Sequence, residues 1–127
     1  HGSLIAWESG AATSYALEAL EDRGTYFVRP GDEVYEGQVV GQHIRDSDLG
    51  VNVTKRKVLN NIRSSTKDTF VTLKAPRVLS LDDAIEYISD DELVEVTPKN
   101  IRLRKRILDT QQRMRQEKRA KQAEAVV

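Results

Sequence analysis

Asp90-Asp91-Glu92-Leu93-Val94-Glu95-Val96-Thr97-Pro98-Lys99-Asn100-Ile101-Arg102-Leu103-Arg104-Lys105-Arg106 holds two strand signals separated by a stop. Residues 93–96 read as one strand, and Thr97-Pro98 ends it, because proline has no N–H to give to a ladder. Ile101-Arg102-Leu103-Arg104 alternates cleanly, so the apolar side chains are expected to face inward and the arginines outward. The acids Asp90, Asp91 and Glu92 invite a metal reading, but the run lacks the alternating oxygen ligands and the glycine of an EF-hand loop. Carboxylates exposed to water at a helix end are the expectation instead.

Working back from that run, Ser80-Leu81-Asp82-Asp83 has the form of a capping box with Asp in place of Glu. The helix it opens should bury Leu81, Ala84, Ile85 and Ile88, with Asp82, Asp83 and Glu86 near its N-terminus, where negative charge is favoured. Residues 70–73 read as a strand. Residues 46–68 break every period and read as a long loop, with short strands at its ends at most. Further back, residues 3–7, 25–28 and 38–45 read as strands, and residues 13–23 as a helix presenting Tyr15, Ala16, Ala19 and Leu20 on one face and ending at Gly24. Gly31 and Gly37 sit where tight β corners are expected. Working forward, a helix is expected from Arg106 with Ile107, Leu108 and Met114 as a thin apolar stripe, after which residues 115–125 are a polar helix or a disordered tail. These readings combine into one α+β domain over residues 1–108: a mixed, mainly antiparallel sheet with about three helices and one long basic loop, followed by a basic tail over 109–127.

Charge is segregated along the chain although the formal total is +0. Residues 1–36 carry 2 bases against 7 acids, residues 37–81 carry 8 against 3, residues 82–95 hold 7 acids and no base, and residues 96–127 carry 10 bases against 3 acids. Local charge decides which partners bind, and two basic stretches on an acidic frame point to an oriented meeting with a polyanion. The absence of cysteine removes disulfides, thiolate metal sites and cysteine nucleophiles, and it fits a cytoplasmic setting. No apolar run approaches the roughly 20 residues of a membrane helix, so no membrane partner is expected. The first residues carry no signal-peptide pattern, and a strand that begins almost at once reads as a domain cut from a longer chain.

Two clusters are candidate RNA contacts. Lys55, Arg56, Lys57, Asn61, Arg63 and Lys67 crowd the long loop, where cations anchor phosphates and amides reach sugars, phosphates or bases. Lys99, Arg102, Arg104, Lys105 and Arg106 form the second cluster, a strand face running into the basic tail. The competing reading for both is a solvated surface, and a protein-interaction domain meeting an acidic partner is the alternative function. Catalysis has little support. His43, Asp46 and Ser47 are close in sequence, but a triad is defined by geometry, and no G-x-x-x-x-G-K-[ST] loop occurs. Pro30-Gly31-Asp32-Glu33-Val34-Tyr35-Glu36-Gly37-Gln38 is similar to the turn of biotinyl and lipoyl carrier domains, but it lacks their lysine-tipped hairpin and reads as structural.

Taken together, the stretches resemble one family, the C-terminal domain of the BipA/TypA translational GTPases. The resemblance rests on Leu17-Glu18-Ala19-Leu20-Glu21-Asp22-Arg23-Gly24, Pro30-Gly31-Asp32-Glu33-Val34-Tyr35-Glu36-Gly37, Asp48-Leu49-Gly50-Val51-Asn52-Val53, Lys57-Val58-Leu59-Asn60-Asn61-Ile62-Arg63 and the opening run through Arg106. Asn60 departs from the family, which usually has Thr there. The resemblance implies a parent GTPase whose GTP and Mg lie in an upstream domain, and a non-catalytic C-terminal domain that acts as a monomer. It further implies docking on the ribosome near the A site of the large subunit, against ribosomal RNA. The loop over 48–67 would point toward the peptidyl-transferase centre and the acceptor end of the A-site tRNA. Biogenesis of the large subunit, growth in the cold and stress responses are the processes it implies.

Overall fold

The computed structural model, which describes residues 2–56 and 75–126, runs β1 (Ser3–Ala6), β2 (Gly10–Ala11), α1 (Ser14–Ala19), β3 (Gly24–Tyr26), β4 (Glu33–Val34), β5 (Gln38–His43), β6 (Leu49–Val51), α2 (Leu81–Tyr87), β7 (Glu92–Val96), β8 (Ile101–Lys105) and α3 (Thr110–Val126). The main sheet has the order β6-β1-β5-β8-β7, with β3 also on β5, and β2 pairs β4 as a separate ribbon. Every pairing is antiparallel except β1 with β6, so the sheet is mixed and mainly antiparallel, as the sequence indicated.

β5 explains why the alternation of residues 38–45 is only loose. Val39 and Val40 are both buried, but on opposite faces of the sheet. Val40 joins Leu4, Leu17, Tyr26 and Val51 on one side. Val39 joins Ala84, Tyr87 and Leu103 on the other. A strand covered on both faces has no polar face to show, so α1 and α2 end up on opposite sides of the sheet. Gly31 and Gly37 hold φ of 93° and 92°, which makes them the two corners expected from the sequence.

Several expectations are corrected. The helix over 13–23 is α1, capped by the Thr13 hydroxyl on the Ala16 amide, followed by a separate 3₁₀ turn at Glu21–Arg23. Its buried residues are Ala16 and Leu17, whereas Tyr15 is exposed and Gly24 is extended rather than left-handed. The capping box at Ser80 and Asp83 is present in both directions, but α2 buries Ala84 and Tyr87 and leaves Leu81 and Ile85 exposed. Tyr87 is the better anchor because its ring packs edge-on to Phe27 at 5.5 Å while its hydroxyl reaches Ser3. The short strand allowed for at the start of the long loop is Leu49–Val51, which pairs with β1. The expected strand over 70–73 lies outside the described residues.

The last helix starts at Thr110 rather than Arg106, and its root is fixed from another element. The Thr110 amide donates to Glu36 Oε2 at 2.8 Å, Asp109 Oδ1 accepts from the Gln112 amide at 3.0 Å, and Arg113 donates to the Leu108 carbonyl at 2.6 Å. A carboxylate at a helix N-terminus satisfies an orphan donor and meets the positive end of the dipole. The Thr110 backbone hydrogen bond, and then its side chain, hold the Glu36 carboxyl below its ordinary value of 4.5. A depressed carboxylate contributes above its ordinary pKa and loses that contribution as pH falls through the folded value. The Thr110 amide proton shift should therefore titrate with an acid midpoint below 4.5, and Glu36→Gln should abolish the titration. A midpoint at or above the ordinary value would refute the cap.

Candidate nucleic-acid interface

β8 carries three of the expected contacts, with Arg106 just beyond its end, and the structure divides them. Arg102 and Arg104 share one face, as alternation requires, and both guanidiniums lie 4.0 Å from the Glu95 carboxylate. Tyr35 also donates its hydroxyl to Glu95 at 2.7 Å, and burial followed by that hydrogen bond pushes the phenol up to about 12. Arg104 further donates to the carbonyls of Lys105 and Arg106. The pair thus keeps its charge in view, but tempered and locked in orientation. Arg106 is exposed at the strand's end and donates to the Asp90 carbonyl.

Lys105 is not part of that face. It is in phase with Leu103, so the same alternation that turns the arginines out turns it in, and it is 2% exposed. Its ammonium meets Asp48 at 2.6 Å, Asp91 at 2.8 Å and Glu92 at 3.0 Å. Burial by itself would lower its pKa, but the hydrogen bonds to these three carboxylates outweigh it and hold the amine above its ordinary range. Glu92 correspondingly is a buried residue opening β7, not a water-exposed helix end; α2 has already stopped at Tyr87. Its carboxylate also accepts from the Ser3 hydroxyl at 2.7 Å and from the Ser89 amide at 2.9 Å. Asp48 accepts from the Ser3 amide, and Tyr87 lies within hydrogen-bond reach of Ser3. The group is a structural clamp joining β1, the approach to β6, β7 and β8. Carrying the Leu103 phase two residues further would have revealed it in the sequence.

The loop cluster is described only at its margins. Lys55 and Arg56 are exposed, and the Lys55 carbonyl accepts from the Thr13 hydroxyl at 2.6 Å. On the far side Arg77 is exposed, with its amide on the Tyr26 carbonyl at 2.9 Å. Lys57, Asn61, Arg63 and Lys67 lie outside the described residues. His43 uses Nδ1 on the Ser47 carbonyl, so its ring meets that residue's backbone rather than its hydroxyl. No group of three or more His, Asp or Glu among the described residues has a metal-holding arrangement, and none of their helices is long and apolar enough to cross a membrane. Sequence reasoning also passed over Arg29 and Arg77, which the fold brings near Lys99 and Arg102 around one groove.

Fold and charge together define a small mixed α+β domain whose surface cations stand at loop margins and on the strand β8. The family model for the TypA/BipA C-terminal domain matches residues 1–110, and the chain belongs to that family. Among its relatives, BipA of Bacillus subtilis, an assembly factor of the large ribosomal subunit, is 52% identical over 122 residues, covering 96% of this chain and 20% of the relative. The protein of the same name in Synechocystis is 50% identical over 83% of this chain and 18% of its own length. A putative chloroplastic elongation factor, TypA-like SVR3 of Arabidopsis thaliana, is 56% identical over 80% of this chain and 15% of its own. The chain therefore spans about a fifth of the length of the relatives it matches.

Proposed function

We propose that this domain is a non-catalytic, ribosome-binding module of a factor that assembles the large ribosomal subunit, and that its partner is RNA. The observation that carries the reading is the layout of the described residues on either side of 57–74. Both flanks are fastened to the folded body by hydrogen bonds, at Lys55 and at Arg77, and both display exposed cations. Cations held in place on the body draw phosphates toward it. Family membership and the names of the relatives support the ribosome as the source of that RNA.

On the family resemblance, the domain docks near the A site of the large subunit. Lys55, Arg56, Lys57, Asn61, Arg63 and Lys67 face ribosomal RNA or the tRNA acceptor end near the peptidyl-transferase centre. Arg102, Arg104 and Arg106 anchor the body, while Lys105 serves the fold. GTP and Mg belong to an upstream domain of the parent, a cytoplasmic GTPase acting as a monomer in ribosome biogenesis and in stress or cold adaptation.

The test is co-sedimentation of the full-length protein with ribosomes across a salt series. Changing Lys55, Arg56, Lys57 and Arg63 together to Ala should make the log–log slope shallower by about three, at roughly 0.7–0.9 per phosphate contact. An unchanged affinity and slope would sink the reading. If an acidic protein were the true partner, short RNA competitors would not show linear counterion release as their length grows.

A further inference from the structure

β5 gives one edge to two different strands. Its C-terminal half pairs β3, from Gly24 opposite His43 to Tyr26 opposite Gly41. Its N-terminal half pairs β8, with Gln38 opposite Arg104 and Val39 opposite Leu103. The sheet therefore forks, and an open groove of about 880 Å³ lies there, bounded by the residues after β3, the segment leading into α2 and the β7–β8 connection. Two sets of side chains line it. Arg29, Arg77, Lys99 and Arg102 supply four cations against the carboxylates of Asp32 and Glu33. Among the described residues no carboxylate pairs with Arg29, Arg77 or Lys99. Val78, Val96 and Ile101, which are 75%, 63% and 37% exposed, line the same groove.

Cations and bare aliphatic side chains in one concavity suit a ligand that is anionic along one side and flat and apolar along the other. An unpaired RNA strand has this character: its phosphates meet guanidinium and ammonium groups, and the faces of its unstacked bases are free to lie against apolar side chains. A duplex keeps its base faces stacked inside and offers only phosphates, which leaves the aliphatic side chains unused. We infer that the fork groove is a second RNA subsite, adjoining the loop flank at Arg77, that takes a short single-stranded RNA segment, with Arg29, Arg77 and Lys99 on its phosphates and Val78, Val96 and Ile101 beneath its bases. This inference rests on the reading of the domain as RNA-binding.

The test uses the full-length protein carrying Arg29→Gln, Arg77→Gln and Lys99→Gln, measured beside the four-residue loop variant. All three side chains are exposed, so the fold should tolerate the change. Binding of a mixed-sequence single-stranded RNA oligomer is followed by fluorescence anisotropy across a salt series. The slope should be shallower by about two, at roughly 0.7 per cation on a single strand. Ultraviolet cross-linking of the parent to the same oligomer should label peptides covering residues 27–29 or 96–103, and the variant should lose that labelling. If the loop variant weakens binding but the groove variant keeps the parent's slope and cross-links, the groove is overturned and the RNA reading stands. If neither variant changes binding, both are overturned. A duplex of equal length that binds as well as the single strand, or an acidic peptide that displaces the RNA at equal charge, also overturns the groove.

Discussion

Lys105→Met should destabilise the domain by about 3 kcal/mol at neutral pH, the low end of what breaking a buried ion pair costs. Methionine matches the lysine stem in shape, so packing is nearly preserved and the loss is electrostatic. The low end applies because the three carboxylates differ in access to water. Asp91 is well exposed and Asp48 partly so, and both can hydrate; Glu92, with 1% of its side chain exposed, cannot. The penalty therefore falls on Glu92, and adding Glu92→Gln to Lys105→Met should recover part of the loss at neutral pH. A lysine whose folded pKa is raised stabilises fully below its ordinary value of 10.5 and ceases to as pH rises through the folded value. The stability gap between parent and variant should therefore narrow above about pH 10.5. Urea unfolding at several pH values measures all of this, and a variant within about 0.5 kcal/mol of the parent at pH 7 would refute the clamp.

Gly37→Ala should cost about as much, roughly 3 kcal/mol, for a different reason. Gly37 holds φ of 92°, and an added Cβ would stand 2.7 Å from Leu108 Cα and 2.9 Å from its carbonyl oxygen. The neighbour is backbone, which cannot rotate away. Gly37 also donates to Ala6 and accepts from the Lys105 amide, so it cannot shift without disturbing β1 and β8. Gly31→Ala is the matched control. Its φ is 93°, but nothing lies within 4 Å of the added atom. It should cost only the backbone share, about 1–2 kcal/mol. Equal losses in the two variants would show that the contact with Leu108 contributes nothing. Loss of stability in Gly37→Ala should be accompanied by fraying at the Thr110 end of α3, visible as faster amide exchange there.

The elements that short-range chemistry determines were legible in the sequence. Ser80 and Asp83 announced α2, Thr97-Pro98 ended β7, and the glycines at 31 and 37 marked real corners. Misreadings came where tertiary context chose among equivalent local options. Leu81 and Ile85 satisfy a helical period as well as Ala84 and Tyr87 do, but only the second pair meets the sheet. Lys105 and Arg104 are both basic, and pleat alone, combined with three acids drawn from distant sequence, buries one and exposes the other. The groove was invisible for a related reason. Arg29, Arg77 and Lys99 are scattered along the chain, and only the division of one edge of β5 between β3 and β8 collects them. Lys55 and Arg56 were visible because they are adjacent in sequence.

The lysine clamp also sets an order of assembly. Its acids come from residues 48, 91 and 92, its hydroxyl from Ser3, and its only ammonium from the last residue of the last strand. As the chain is synthesised, β1 emerges before its partners and has to wait for β5 and β6 to flank it and for β8 to bring the charge that lets Glu92 leave water. Contacts of such long sequence separation are slow to form, because loop closure precedes the reward. A nascent chain halted before Lys105 should remain loosely held and sensitive to protease, and one extended past it should lock in a single step.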